Sequence, residues 1–133
     1  LGSGHAAEGF VHALAAEVKA GRMSVRGVPT STATGELAST LGIPVVTLAD
    51  VGEIDVTFDG ADEVSPGLDL IKGYGRAMVR EKIVAASSRR LVILVGREKL
   101  VPALGARGKL PVEVLPFARP LCERRLRALG LDP

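Results

Sequence analysis

A chain of 133 residues, 47% hydrophobic and 24% charged, has the size of one domain and the composition of an ordinary folded protein. A formal net charge of +2 is too small to argue for nucleic acid, a single cysteine (Cys122) excludes an intrachain disulfide, and no apolar run approaches the roughly 20 residues that cross a membrane. Aromatic residues are 3% and tryptophan is absent, so the core must rest on Val, Leu, Ile and Ala, which with 16 glycines favours parallel strands closely covered by helices.

The chain opens on Leu1-Gly2-Ser3-Gly4, a glycine turn with no strand before it, and no basic stretch leading into an apolar run; the expectation is a cytoplasmic protein. Residues 6–20 read as a helix, with Phe10, Leu14 and Val18 spaced by four on one face. Residues 25–28 read as a short strand. Ser31 or Thr32 can cap a helix running to about Leu41, and Gly42 stands where a helix end favours glycine. Residues 45–48 form a second apolar run. Ile54, Val56 and Phe58 then alternate with Asp55, Thr57 and Asp59, which is strand periodicity. A polar loop and the glycine-broken segment Lys72-Gly73-Tyr74-Gly75 follow. Residues 76–88 read as a helix, 91–95 as a strand buried on both faces, 112–115 as another strand and 119–129 as a last helix. Alternating strands and helices predict an α/β fold with a mostly parallel, Rossmann-like sheet flanked by helices. The abrupt start and the end at Asp132-Pro133 read as a fragment of a longer chain.

Several clusters carry possible chemistry. Gly2-Ser3-Gly4-His5 opens a helix, so it is either a tight turn or a cradle whose free N–H groups accept a phosphate. Asp59-Gly60-Ala61-Asp62-Glu63 places three carboxylates at the end of a strand, where open α/β sheets bind ligands; the alternative is a turn with solvated acids. Lys72 can stabilise an oxyanion or simply face water. Around Glu81, Val79, Ile83 and Ala86 share one side of the helix, and Ala77, Val84, Ala85 and Ser88 lie toward the other. A helix covered on both sides would desolvate Glu81 and suit it to act as a general base; an intrahelical ion pair is the competing reading. His5 and His12 are seven residues apart, about 10.5 Å along a helix, too far to share a metal. Cys122 has no nucleophile context. Arg119, Arg124, Arg125 and Arg127 read as a solvated helix face.

Taken together, the run from Asp55 to Val64 (DVTFDGADEV), Leu70-Ile71-Lys72-Gly73 and Arg80-Glu81-Lys82-Ile83-Val84-Ala85 closely resemble the type A ribose-5-phosphate isomerase family. Val28-Pro29-Thr30-Ser31, Leu41-Gly42-Ile43-Pro44 and the stretch from Lys109 to Ala118 (KLPVEVLPFA) extend the similarity over essentially the whole chain. The resemblance implies an aldose–ketose isomerase, an intramolecular oxidoreductase of the non-oxidative pentose phosphate pathway. It would interconvert ribose 5-phosphate and ribulose 5-phosphate through an enediolate, without metal or organic cofactor. Glu81 would be the base. Lys72, Asp59 and Asp62 would hold the sugar hydroxyls, assist ring opening and stabilise the oxyanion. Gly2, Ser3, Gly4, His5 and Ala6, with Gly73, Gly75 and Lys99, would line the substrate site, the first five and Lys99 on its phosphate side. The partner implied is a small sugar phosphate, with no nucleic acid or membrane, in a homodimer or homotetramer of the full-length protein. Residues 1–133 would form the catalytic α/β domain, lacking the family's first central strand and its C-terminal subdomain, and would be poorly stable alone.

The resemblance has gaps. The family's loop commonly reads G-T-G-S-T, whereas His5 and Ala6 replace the last two residues here. Tyr74 and Arg76 interrupt the glycine run after Lys72, where the bulk of Tyr74 could crowd the sugar and Arg76 or His5 could add charge for the phosphate. These departures motivate a second reading, a sugar-phosphate sensor without turnover. A third, a metal-dependent phosphoryl enzyme, would use the acids of Asp59–Glu63.

Overall fold

In a computed structural model describing residues 1–133, the secondary structure follows the apolar periodicity. Four helices form, α1 (His5–Lys19), α2 (Thr32–Thr40), α3 (Met78–Ala86) and α4 (Arg119–Ala128), with four strands, β1 (Thr57–Asp59), β2 (Glu63–Val64), β3 (Leu70–Ile71) and β4 (Leu91–Ile93). The fold is α/β with a mostly parallel sheet. β1 and β4 pair in parallel, with Phe58 opposite Val92. Parallel bridges at Ile54–Ser88 and Gly27–Val45 extend the arrangement on either side. No helix is long and apolar enough to cross a membrane.

The middle of this sheet corrects one expectation. Leu1 and Gly2 bond to the neighbouring segments instead of forming a turn. The Leu1 nitrogen donates to the Val28 carbonyl (2.8 Å), the Thr30 N–H to the Leu1 carbonyl (2.9 Å) and the Gly2 N–H to the Phe58 carbonyl (2.8 Å). These two residues therefore tie the 27–30 segment to β1. The turn comes at Gly4, whose φ of 85° lies in the left-handed region that glycine enters without strain.

α1 lies on the sheet by its small side. Ala7, Val11 and Ala15 are buried, while Phe10, Leu14 and Val18 are half-buried beside them, Leu14 packing against the core cluster. Close helix–sheet approach favours the narrower stripe, and Phe10 covers the sheet's flank by stacking on Phe58 (ring centroids 4.1 Å apart). Val11 and Ala15 pack with Ala38 of α2 and Ile43 in the main apolar cluster. α2 is capped as expected: the Thr34 N–H donates to the Ser31 hydroxyl (3.1 Å), and Gly42 ends the helix at φ 84°.

Other elements depart from the sequence reading. The polar loop after β1 holds an antiparallel hairpin, Glu63 opposite Ile71 and Val64 opposite Leu70; strands of two residues leave no periodicity to read. β4 is partly exposed, not buried on both faces, because β1 is its only paired strand and Leu91 is 42% exposed. Residues 112–115 form no strand: Val112 and Leu115 are exposed, and no backbone–backbone hydrogen bond involves residues 102–114. α3 is buried on one side only, through Glu81 and Val84, while Val79 and Ile83 are about half exposed. Nothing in α4 is buried. Its basic residues face water, and the Arg119 guanidinium, 2.7 Å from Glu123, holds that carboxyl below its usual range.

Ile43 is 1% exposed at the junction of α1 and α2. Ile43→Ala should cost about 3 kcal/mol through lost burial and a residual cavity, measured as a shift in urea midpoint at constant m-value.

Candidate active site

Three parallel segments end on the same side of the sheet: residues 1–3, β1 and β4. Side chains and backbone beyond those carboxyl ends, together with the start of α3, enclose a cleft of about 510 Å³. This is where an open α/β sheet presents ligands.

Lys72 lies at its floor. It follows β3, and the hairpin turns its side chain back over β1. Its ammonium donates to the Gly60 carbonyl and sits 2.9 Å from Asp59 Oδ2 and 3.2 Å from Glu81 Oε2. Asp59 is 1% and Glu81 5% exposed. Burying two carboxylates is costly unless a cation and donors compensate. Asp59 Oδ1 accepts the N–H groups of Gly60 (2.8 Å) and Ser3 (3.2 Å). Glu81 Oε1 accepts the Ser3 hydroxyl. The remaining oxygens, Asp59 Oδ2 and Glu81 Oε2, face Lys72 without a directed hydrogen bond. The ammonium is thus held by charge between two acids rather than locked onto either. Three oxygens surround its three N–H groups.

Backbone geometry supports this triad. Gly2 does not line the cleft; it lies behind Asp59, and a Cβ there would stand 2.6 Å from the Asp59 Cα. Glycine is required by close approach, not by contact with a ligand. α3 starts with no cap from its own Ala77. The Glu113 carboxylate instead accepts the Val79 N–H (2.8 Å), two residues before Glu81. Residue 113 therefore does from a distance what an N-cap side chain does locally.

Along the walls, the cleft is lined by Ser3, Gly4, His5 and Ala6 at the start of α1, and by Asp62, Gly73, Gly75 and Lys99. α1 begins with the Glu8 N–H on the Gly4 carbonyl, and no side chain caps it. The N–H groups of His5, Ala6 and Ala7 thus have no acceptor within the helix, and the dipole adds positive potential there. Asp62 Oδ2 accepts the Tyr74 N–H (3.0 Å) and its other oxygen has no protein partner.

The three acids of Asp59–Glu63 point apart. Asp59 meets Lys72, Asp62 meets Tyr74, and the fully buried Glu63 carboxylate accepts the N–H groups of Gly105 (2.6 Å) and Arg107 (2.7 Å). No three His, Cys, Asp or Glu side chains gather as a metal site.

Two departures from the resemblance resolve differently from expectation. Tyr74 does not crowd the cleft. Its ring turns outward, and its hydroxyl donates to the Lys109 carbonyl (2.8 Å). Arg76, at φ 59°, lines a neighbouring hollow with Tyr74, Met78 and Glu113, outside the main cleft. His5 does line the cleft, with its ring in solvent 3.4 Å from Glu8. The sequence reading missed Glu98 and Arg107, which also line it. Both stand in stretches without periodicity, and the only sequence signal was the basic character of the 107–109 segment.

An open α/β sheet with a buried carboxylate–lysine–carboxylate array at its carboxyl edge defines a class, the domains that hold small polar metabolites there for acid–base chemistry. The comparisons name the family. Residues 26–133 match the ribose 5-phosphate isomerase A (phosphoriboisomerase A) profile. The chain is 52% identical over 134 residues to ribose-5-phosphate isomerase A of Roseiflexus sp. (strain RS-1), covering all of this chain and 58% of that protein. It is 53% identical over 117 residues to the Caulobacter vibrioides (strain NA1000 / CB15N) protein of the same name, covering 88% of this chain and 50% of that one. Among solved structures, ribose 5-phosphate isomerase A of Methanocaldococcus jannaschii superposes with a TM-score of 0.92 at 40% identity, over 98% of this chain and 58% of that one. A D-ribose-5-phosphate isomerase in complex with phospho-erythronic acid gives 0.93 at 39% identity, over 98% and 57%. The chain belongs to the ribose 5-phosphate isomerase A family. It spans less than three fifths of the length of these relatives.

Glu113→Ala should remove the distant cap and cost about 1 kcal/mol, read as a lower urea midpoint; Glu113→Gln, which keeps an acceptor oxygen, should recover most of it.

Proposed function

We propose that this chain carries the catalytic site of a ribose-5-phosphate isomerase. The observation that carries the reading is the Glu81 carboxylate, almost fully buried yet on the cleft, with the Lys72 ammonium 3.2 Å away. Aldose–ketose isomerisation needs a base at one carbon and a positive charge at the neighbouring oxygen, and this pair supplies both within one hydrogen-bond length.

Starting from the open-chain aldose, Glu81 removes the proton from C2. The C–H electron pair forms the C1=C2 bond, and the carbonyl electrons move onto O1. The resulting oxyanion of the enediolate lies by the Lys72 ammonium, whose positive charge stabilises it. The proton returns from Glu81 to C1, O1 takes up a proton, and O2 loses one as the C2 carbonyl forms. Asp59 keeps Lys72 at the floor, and the free oxygen of Asp62 is available to a sugar hydroxyl. The uncapped start of α1 and Lys99 supply positive potential for the phosphate. The solved relative with phospho-erythronic acid supports a phosphorylated four- or five-carbon chain as the ligand class. We further infer that the intact protein is a homo-oligomer, as the family resemblance implies.

The sensor reading loses part of its motive, because Tyr74 and Arg76 lie outside the cleft. Glu81→Gln in the intact protein should lower kcat for ribose 5-phosphate by about 10²–10⁴ while leaving binding within a few fold. Undiminished turnover would remove Glu81 as the base, and binding without turnover in the unmodified protein would establish the sensor. Activity should also be unchanged by a chelator; its loss would revive the metal-dependent reading.

A further inference from the structure

Residues 102–114 make no backbone–backbone hydrogen bond, yet one of them, Arg107, lines the cleft. Side chains hold them in place. At one side the Glu63 carboxylate, with none of its surface exposed, takes the N–H groups of both Gly105 and Arg107. At the other, the Tyr74 hydroxyl donates to the Lys109 carbonyl. A carboxylate that is fully buried without a cation must obtain its compensation from directed N–H donors. Glu63 spends both oxygens on this one loop, and both bonds are in the charge-assisted range.

Such anchoring fixes the side chain that lies between the two ties. Arg107 lines the cleft, and its guanidinium donates to the Glu98 carbonyl, next to Lys99. Neither Arg107 nor Lys99 has a carboxylate within ion-pair distance, whereas Lys72 has two. The cleft therefore has a compensated cation at its floor and two uncompensated cations on its wall. Glu98 is the one acid on that wall, and its carboxylate is folded against Gly96. A planar fork with four N–H groups left after the Glu98 contact is matched to phosphate oxygens in a way that an ammonium is not.

We infer that Arg107 is a specificity-determining contact for the phosphate of the substrate, and that Glu63 is its positioning residue. The inference rests on the isomerase reading for the identity of the sugar, but not for the binding of the anion. Glu63 then differs from its neighbours Asp59 and Asp62: it serves the anionic end of the ligand through a loop, rather than the reacting carbons.

The test uses the intact protein, with kinetics and direct calorimetric binding side by side. Arg107→Ala should raise KM for ribose 5-phosphate about tenfold with kcat within about threefold, and should weaken competitive inhibition by inorganic phosphate by the same factor. Arg107→Lys should recover part of the loss. Glu63→Gln should reproduce the Arg107→Ala signature in KM and phosphate inhibition, and the double variant should add little to either single one. Unchanged phosphate binding in Arg107→Ala would overturn the contact. An effect of Glu63→Gln on kcat, or additivity in the double variant, would overturn the positioning role. Should the unmodified protein bind ribose 5-phosphate without turning it over, the isomerase reading fails, while the calorimetric comparison of Arg107→Ala with the unmodified protein still decides this inference. Arg107 is exposed, so its replacement leaves the folded chain available for measurement even where Glu63→Gln does not.

Discussion

One ammonium group organises this molecule. Lys72 stands between Asp59 at the end of β1 and Glu81 in the first turn of α3, and it donates to the Gly60 carbonyl. Without it, two buried carboxylates would be left with too few donors to offset their desolvation. With it, strand, hairpin and helix are pinned to a common point. The demand reaches further back along the chain. For Asp59 to sit beneath the ammonium, the backbone of residue 2 must pass within contact of it, which only glycine allows. For Glu81 to sit above it, α3 must begin at a fixed place, which the Glu113 carboxylate secures.

The same arrangement explains why so polar an array is tolerated inside a small apolar protein. The apolar cluster of Val11, Ala15, Ala38 and Ile43 lies between α1 and α2, away from the cleft. Stability and chemistry are drawn from different parts of the sheet. Core packing sets where the strands end, and the strand ends then aim backbone carbonyls and N–H groups at the ligand space. The fold needs no unusual side chains for this: ordinary parallel strands leave their carboxyl ends open for such a site.

Much of this was legible in the residues, and the limits of legibility have physical causes. Long periodic segments were clear: α1, α2, α3 and α4 each lie where the apolar spacing and the capping signals at Ser31 and Gly42 put them. The spacing of Phe10, Leu14 and Val18 marks a half-buried flank of α1, while the fully buried stripe of Ala7, Val11 and Ala15 is harder to read because alanine carries little hydrophobic signal. The β2–β3 hairpin was invisible, since two residues per strand carry no period. Residues 112–115 looked like a strand because Val112 and Val114 alternate with a charge, but Pro111 and Pro116 flank them and no partner strand is near. In the site, spacing singles out Asp59, Asp62, Lys72 and Glu81 one at a time, each against a bland alternative, and it is the family resemblance that groups them. The divergence of Glu63 from the other two acids was not readable, since its partners are backbone N–H groups more than 40 residues away. Tyr74 was read as bulk in the cleft because sequence gives a side chain's size and not its direction.

The segment from residue 102 to residue 114 bears on how the site holds together. Its attachments are a handful of side-chain contacts from Glu63, Tyr74, Glu113 and Arg107, and none is part of the sheet's hydrogen-bond ladder. Its release would break no strand pairing, yet it would strip the buried Glu63 carboxylate of both donors and α3 of its distant cap. The order of this loop and the placement of Glu81 are therefore coupled. A ligand that holds the loop would steady the base as well, so that contact at one end of the substrate is felt at the other.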